Sequence, residues 1–169
     1  MDKNTVISRL GLLPHPEGGY FRRTYASSQL HVGADTVARA AMTSIYYLLT
    51  RDNPVGHWHR NTSDIVHFFH HGDPLRYWLI CPAGNLSEVY LGHDLCNNQQ
   101  LQLTVPGGYW KASELCSGEY GLISEAVCPG FNVDDMQIAE AAQLTALFPR
   151  HREIIRRLAY HPPQEGHTE

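Results

Sequence analysis

"GHWHRNTSDIVHFFHHGDPLRYWLICPAGN", residues 56–85, contains three short apolar and aromatic runs, "GHWHR", "IVHFFHH" and "LRYWLI". The second ends at "GDP" and the third at "PAGN", clusters that favour tight turns. Short β-branched and aromatic runs between such turns read as strands. Working outward, the pattern continues. Downstream come "SEVYLG", "LQLTV" before "PGG", "YWKASEL", and "YGLISEAV" before "CPG". Upstream come "YFRRTYA" and "ARAAMTSIYYLLT", the latter closed by "RDNP". Ala favours helix in residues 38–50, but Thr43, Ile45, Tyr46 and Tyr47 tip that stretch to strand. A succession of short, turn-delimited strands predicts an all-β sandwich or barrel.

The ends of the chain read differently. "NTVISRLGL" (4–12) suits a short helix capped by Asn4 or Thr5, with Val6, Ile7, Leu10 and Leu13 at helical spacing and Pro14 as its stop. "PHPEGG" (14–19) is a rigid turn. "DDMQIAEAAQLTALFP" (134–149) has Met136, Ile138, Ala139, Leu144, Leu147 and Phe148 at mainly helical spacing, and "RHREIIRRLAYH" (150–161) follows as a second helix. The expected organisation is one domain over residues 1–160, with 161–169 a disordered tail.

The 169 residues suffice for a real core without metal or disulfide staples. The formal net charge of −4 argues against a nucleic-acid partner. The basic run "PRHREIIRR" (149–157) reads as the solvated face of a terminal helix. Cys81, Cys96, Cys116 and Cys128 form no CxxC pair, which predicts reduced, mostly buried thiols. There is no apolar run of about 18 residues, and the start has no signal-peptide pattern, so a cytoplasmic protein away from membranes is expected.

Five of the eleven histidines fall in the opening stretch. In a regular strand His57 and His59 share a face with Trp58 opposite. Two such imidazoles can share a metal ion, and a carboxylate from the next strand would complete the set.

The HxH pair, the Gly72 turn and the later "VPGGYW" resemble the two motifs of the cupin superfamily. "LLPHPEGGYFRRTY", "SIYYLL", "GHWHR", "GDPL", "VPGGYW" and "CPGF" before an acidic pair follow in the order of one branch, catalogued as a domain of unknown function. The resemblance covers about residues 10–138. It implies a double-stranded β-helix (jelly roll), a homodimer, and an open pocket between the sheets. It also implies four ligand positions, occupied here by His57, His59, Ile65 and Lys111. Two of those four offer no usable donor, so no cofactor is expected; any metal that bound would use His57 and His59, with His67 a conceivable substitute.

The pocket is then expected to take a small-molecule ligand through Glu17, Arg22, Tyr47, His57, His59 and Lys111. Arg22 would fork onto an acidic group, or else pair internally with Glu17. Tyr46, Tyr109 and Trp110 are further candidates for the mouth. His59 and Glu17 are the leading catalytic candidates. Metal-independent sugar epimerases of the same superfamily, which use a His base steadied by a carboxylate, suggest isomerase- or epimerase-type chemistry by analogy of fold. A non-catalytic binding module and a metal-dependent oxygenase or isomerase are the alternatives.

Overall fold

The computed structural model describes residues 1–161. The expected tail lies outside the described residues except for His161.

Two antiparallel sheets form the body. The first runs in the order β1 (Leu13–Pro14), β2 (Tyr20–Ala26), β5 (Thr43–Thr50), β12 (Tyr120–Cys128), β7 (Asp64–Gly72) and β10 (Gln102–Val105). The second runs β13 (Met136–Ile138), β6 (Val55–Asn61), β11 (Trp110–Leu115), β8 (Leu75–Ile80) and β9 (Leu86–Leu91). A small hairpin, β3 (Leu30–Val32) with β4 (Ala38–Ala40), stands apart. This is the jelly roll that the strand pattern and the family resemblance imply. Tyr47, Leu49, Phe69, Leu75, Tyr77, Leu79, Leu103 and Ile123 meet between the sheets as one buried cluster. Beyond β1, which pairs only with Tyr20 and Phe21, the outer edge of β2 has no strand partner among the described residues.

Helix α1 (Lys3–Leu10) forms where expected, but Asp2 caps it rather than Asn4 or Thr5, accepting from the Thr5 backbone N–H at 3.0 Å. Its C-terminus closes on Gly11 in the left-handed region. The expected helix over 134–149 is shorter than its periodicity suggests. Met136 to Ile138 pair with Asn61 to His59 and become β13, leaving α2 as Ala141–Leu147. Here a free sheet edge wins over a helical pattern, because pairing satisfies the backbone of β6 as well. Helix α3 (Arg152–Leu158) follows a short 3-10 turn.

Leu144, Ile155 and Leu158 from α2 and α3 close a second core over Trp58, Ile80 and Trp110. Each fully buried side chain of this kind contributes about 1.5–3 kcal/mol. The expectation of buried cysteines fails. Cys96, Cys116 and Cys128 are exposed because they sit in a loop turn or at strand ends, and all four cysteines are free thiols.

Candidate functional site

The pocket opens between the sheets, lined by β2, β5, β7 and β12 of the first, by His59 and Asn61 of β6 in the second, and by the turn that precedes β2. The empty space between its walls is about 490 Å³, a figure that includes the solvent at its open mouth. Glu17, Tyr47, His59 and Glu125 form its floor and are shared with a smaller cavity behind, which Lys111, Ser113 and Tyr77 also line.

Glu17 is delivered by the "PHPEGG" turn, and the two glycines explain how. Gly18 and Gly19 have φ of +96° and +74°. This lets the Glu17 carbonyl accept from the His57 N–H at 2.6 Å and the Gly18 carbonyl accept from the Tyr47 hydroxyl at 2.9 Å. A Cβ on Gly18 would collide with the Val55 carbonyl oxygen. Gly18→Ala is therefore expected to cost more than about 2 kcal/mol and to displace Glu17, measurable as a lower urea midpoint.

Glu17 is 7% exposed and His59 is 5% exposed, and Glu17 Oε2 lies 3.0 Å from His59 Nε2. His59 Nδ1 lies 2.7 Å from the His57 carbonyl, which can only accept, so Nδ1 carries a proton. Burial is the main cause that raises the Glu17 carboxyl to about 8. Burial, reinforced by Lys111, pulls His59 well below its ordinary value. Both shifts favour the uncharged forms, a carboxylic acid facing a neutral imidazole across the 3.0 Å contact. His15 supports it: Nδ1 accepts from the Glu17 N–H at 3.1 Å, and burial lowers this imidazole to about 4.

A second buried cluster sits beside the pair. Lys111 Nζ lies 2.9 Å from His67 Nε2 and 3.6 Å from Glu125 Oε2; Glu125 Oε1 lies 3.3 Å from the same His67 nitrogen. Burial alone would raise the Glu125 carboxyl, but Lys111, the largest opposing cause, holds it well below the usual carboxylate range. Burial and Lys111 both lower His67, so its Nε2 accepts from the lysine while Nδ1 faces the Leu103 carbonyl at 3.3 Å. The floor thus combines a protonated Glu17 with an ionised Glu125, two carboxyl groups driven apart by their surroundings.

Of the residues expected in the pocket, Glu17, Tyr47 and His59 line it and Lys111 lines the smaller cavity behind, whereas Arg22 and His57 line neither. On β2 the alternation places Phe21 and Arg23 inward, and Arg22 lies outside beside Gly11. The alternative Glu17–Arg22 pair is also absent, because Glu17 faces His59. On β6 the register against β11 pairs His59 with Lys111 but Gly56 with Ser113. Two residues, His57 and Trp58, therefore oppose Ala112 in a β-bulge. The bulge breaks the expected shared face of the HxH. His57 turns to the Leu158 carbonyl at 3.2 Å and packs against the Tyr160 ring. Of the mouth aromatics, Tyr46 packs with the α1 cluster, Trp110 with α2 and α3, and Tyr109 against the core between the sheets.

Glu125, His15, Asn61 and Arg23 belong to the pocket without having been singled out in the sequence. Glu125 had a signal. In "YGLISEAV" it alternates with Ile123 and Val127, both buried, so it had to point inward.

The Cupin superfamily (DUF985) family model matches residues 4–139. The chain is a cupin of this family. The Saccharomyces cerevisiae protein YML079W, itself described as uncharacterized, is 38% identical over 144 residues, 77% of this cupin and 71% of the yeast protein. A hypothetical protein from Leishmania major superposes with a TM-score of 0.90 at 34% identity, covering 95% of this cupin and all of that chain. Protein SO0799 from Shewanella oneidensis gives 0.86 at 32%, covering 95% and 98%. Oxalate decarboxylase from Bacillus subtilis, at 13% identity and a TM-score of 0.53 over 36% of its chain, shares the fold alone.

The residues of this cupin do not fit the metal that its family resemblance suggests. His57 has left the interior, Ile65 has no donor atom, and Lys111 already places a positive charge beside His67 and Glu125. His59 Nε2 is engaged by Glu17. Among the described residues no group of three or more His, Cys, Asp or Glu is arranged to hold a metal ion. Among the described residues, no helix is long and apolar enough to cross a membrane.

Proposed function

We propose that this cupin is a metal-independent acid–base catalyst, of isomerase or epimerase type, acting on a small polar or acidic metabolite. The observation that carries the reading is the buried 3.0 Å contact between Glu17 Oε2 and His59 Nε2 at the floor of the pocket. Glu17 Oε1 has no partner among the described residues. A proton leaving the substrate can arrive at Oε1 while the proton on Oε2 passes to His59 Nε2. The pair then consists of a carboxylic acid and an imidazolium, and the ionised Glu125 nearby offsets the new charge. Reversal returns a proton to the same or an adjacent atom of the substrate. Tyr47 holds the turn in place rather than acting as the acid, since its hydroxyl is committed to Gly18 and burial raises it well above its ordinary value.

The test is proton exchange in D2O, read by NMR, over a panel of 2-oxo acids, hydroxy acids and sugar phosphates. The wild type is expected to exchange a carbon-bound hydrogen of at least one member. Glu17→Gln and His59→Phe are expected to lower that rate by about 10²-fold or more. A panel member that raises the melting temperature yet exchanges no hydrogen would replace this reading with the non-catalytic binding module.

A further inference from the structure

We propose that the outer pocket selects an anionic, hydroxyl-bearing ligand through two residues outside the proton-transfer pair: Arg23 at the rim takes the anionic group, and Asn61 on the wall takes a hydroxyl or N–H. The proposal deepens the reading of this pocket as a metabolite site and names the class of ligand.

Asn61 follows His59 inward on β6 and is only 8% exposed. Its Oδ1 is buried without a hydrogen-bond partner among the described residues. Buried polar groups are nearly always paired, so an unpaired carboxamide oxygen on a pocket wall is a site kept open for something that binds there.

Arg23 stands over the Phe131 ring at 5.7 Å and forms no ion pair among the described residues. Arg39, which shares the adjoining surface groove, shows the contrast: Asp135 and Asp35 both neutralise it. The charges also set a direction. Glu125 on the floor is already paired with Lys111, whereas Arg23 at the rim has no ion-pair partner among the described residues and attracts an anion. The ligand therefore enters with its anionic end outward and its reacting end on Glu17. Phe21, Ile45, Ile65 and Val127 between them give a carbon skeleton an apolar wall. The anion can be a carboxylate or a phosphate, because a guanidinium forks onto either.

The probes are inorganic phosphate, acetate, glycerol and glycerol 3-phosphate, titrated calorimetrically at low salt. Glycerol 3-phosphate is expected to bind at least about tenfold more tightly than phosphate or glycerol alone. Arg23→Gln should weaken phosphate and glycerol 3-phosphate alike by about tenfold, while Asn61→Ala should remove only the advantage of glycerol 3-phosphate over phosphate. Acetate binding as well as phosphate would place the ligand among carboxylates as readily as phosphates. Asn61→Ala should also keep the wild-type melting temperature, because it deletes a buried amide oxygen that has no partner among the described residues. No preference for glycerol 3-phosphate, unchanged anion binding in Arg23→Gln, or a large loss of melting temperature in Asn61→Ala would each overturn the proposal. Because binding is read without turnover, tight binding with no hydrogen exchange sinks the acid–base reading and leaves this one standing.

Discussion

Above pH 8, Glu17→Gln is expected to melt at a higher temperature than the wild type, although it is also expected to be nearly inactive. The sign follows from burial. An unfolded Glu17 titrates near its ordinary 4.5, whereas burial raises the folded carboxyl to about 8. Below 4.5 both states carry the proton. Between 4.5 and 8 only the folded state keeps it, so stability falls as pH rises through that window and then levels. At about 1.4 kcal/mol per pKa unit, the full loss is on the order of 4–5 kcal/mol. Glutamine keeps a donor facing His59 and removes the titration, so this slope should vanish in the variant. The acid limb should remain. His15, His59 and His67 all have folded values below their ordinary 6.5, so their contribution is lost as pH falls below that value. Melting curves between pH 5 and about 9 provide the check. A variant with the same alkaline slope as the wild type would show that Glu17 is not buried in its protonated form.

Lys111→Met is expected to destabilise the protein at pH 7 by about 3–5 kcal/mol, because it leaves the Glu125 carboxylate buried without its cation. The two side chains link the sheets: Lys111 comes from β11 and Glu125 from β12. Adding Glu125→Gln to Lys111→Met should recover most of the loss, since the double variant no longer carries an unpaired charge. The deficit of the single variant should also shrink in acid. The wild-type Glu125 carboxyl is depressed, so its stabilising contribution is present above the unfolded value of 4.5 and is lost as pH falls below it. Urea unfolding of both variants at neutral and acid pH measures the two effects. A fully stable Lys111→Met would remove the electrostatic account of the floor.

These effects depend on contacts that were only partly legible in the chain. The turn-delimited strands around "IVHFFHH" and "LRYWLI" made the β-architecture plain, because strand and turn preferences act over a few residues. "PHPEGG" identified Glu17 as a polar residue in a tightly specified turn. Its glycines could be read as permitting positive φ, but the Val55 carbonyl they avoid comes from another strand. Lys111 was legible as a departure from a cupin motif. Its partners, His67 and Glu125, became visible only once β7, β11 and β12 were placed together.

What this sequence determined by itself was the strand inventory, the helix at its start, the family pattern, and the identity of Glu17, His59 and Lys111 as inward polar residues. The strands and the helix follow from local preferences, whereas the three polar residues were singled out through the family pattern. Only the tertiary structure decided which neighbours broke the two-residue alternation of a strand or went unnoticed by it. The bulge opposite Ala112 sent His57 to α3 while leaving His59 on Glu17, and the pairing of β2 with β5 put Arg23, not Arg22, at the rim of the pocket. A one-residue change of register reverses the face of a strand residue. Register is set by the partner strand, so no reading of one strand alone contains it.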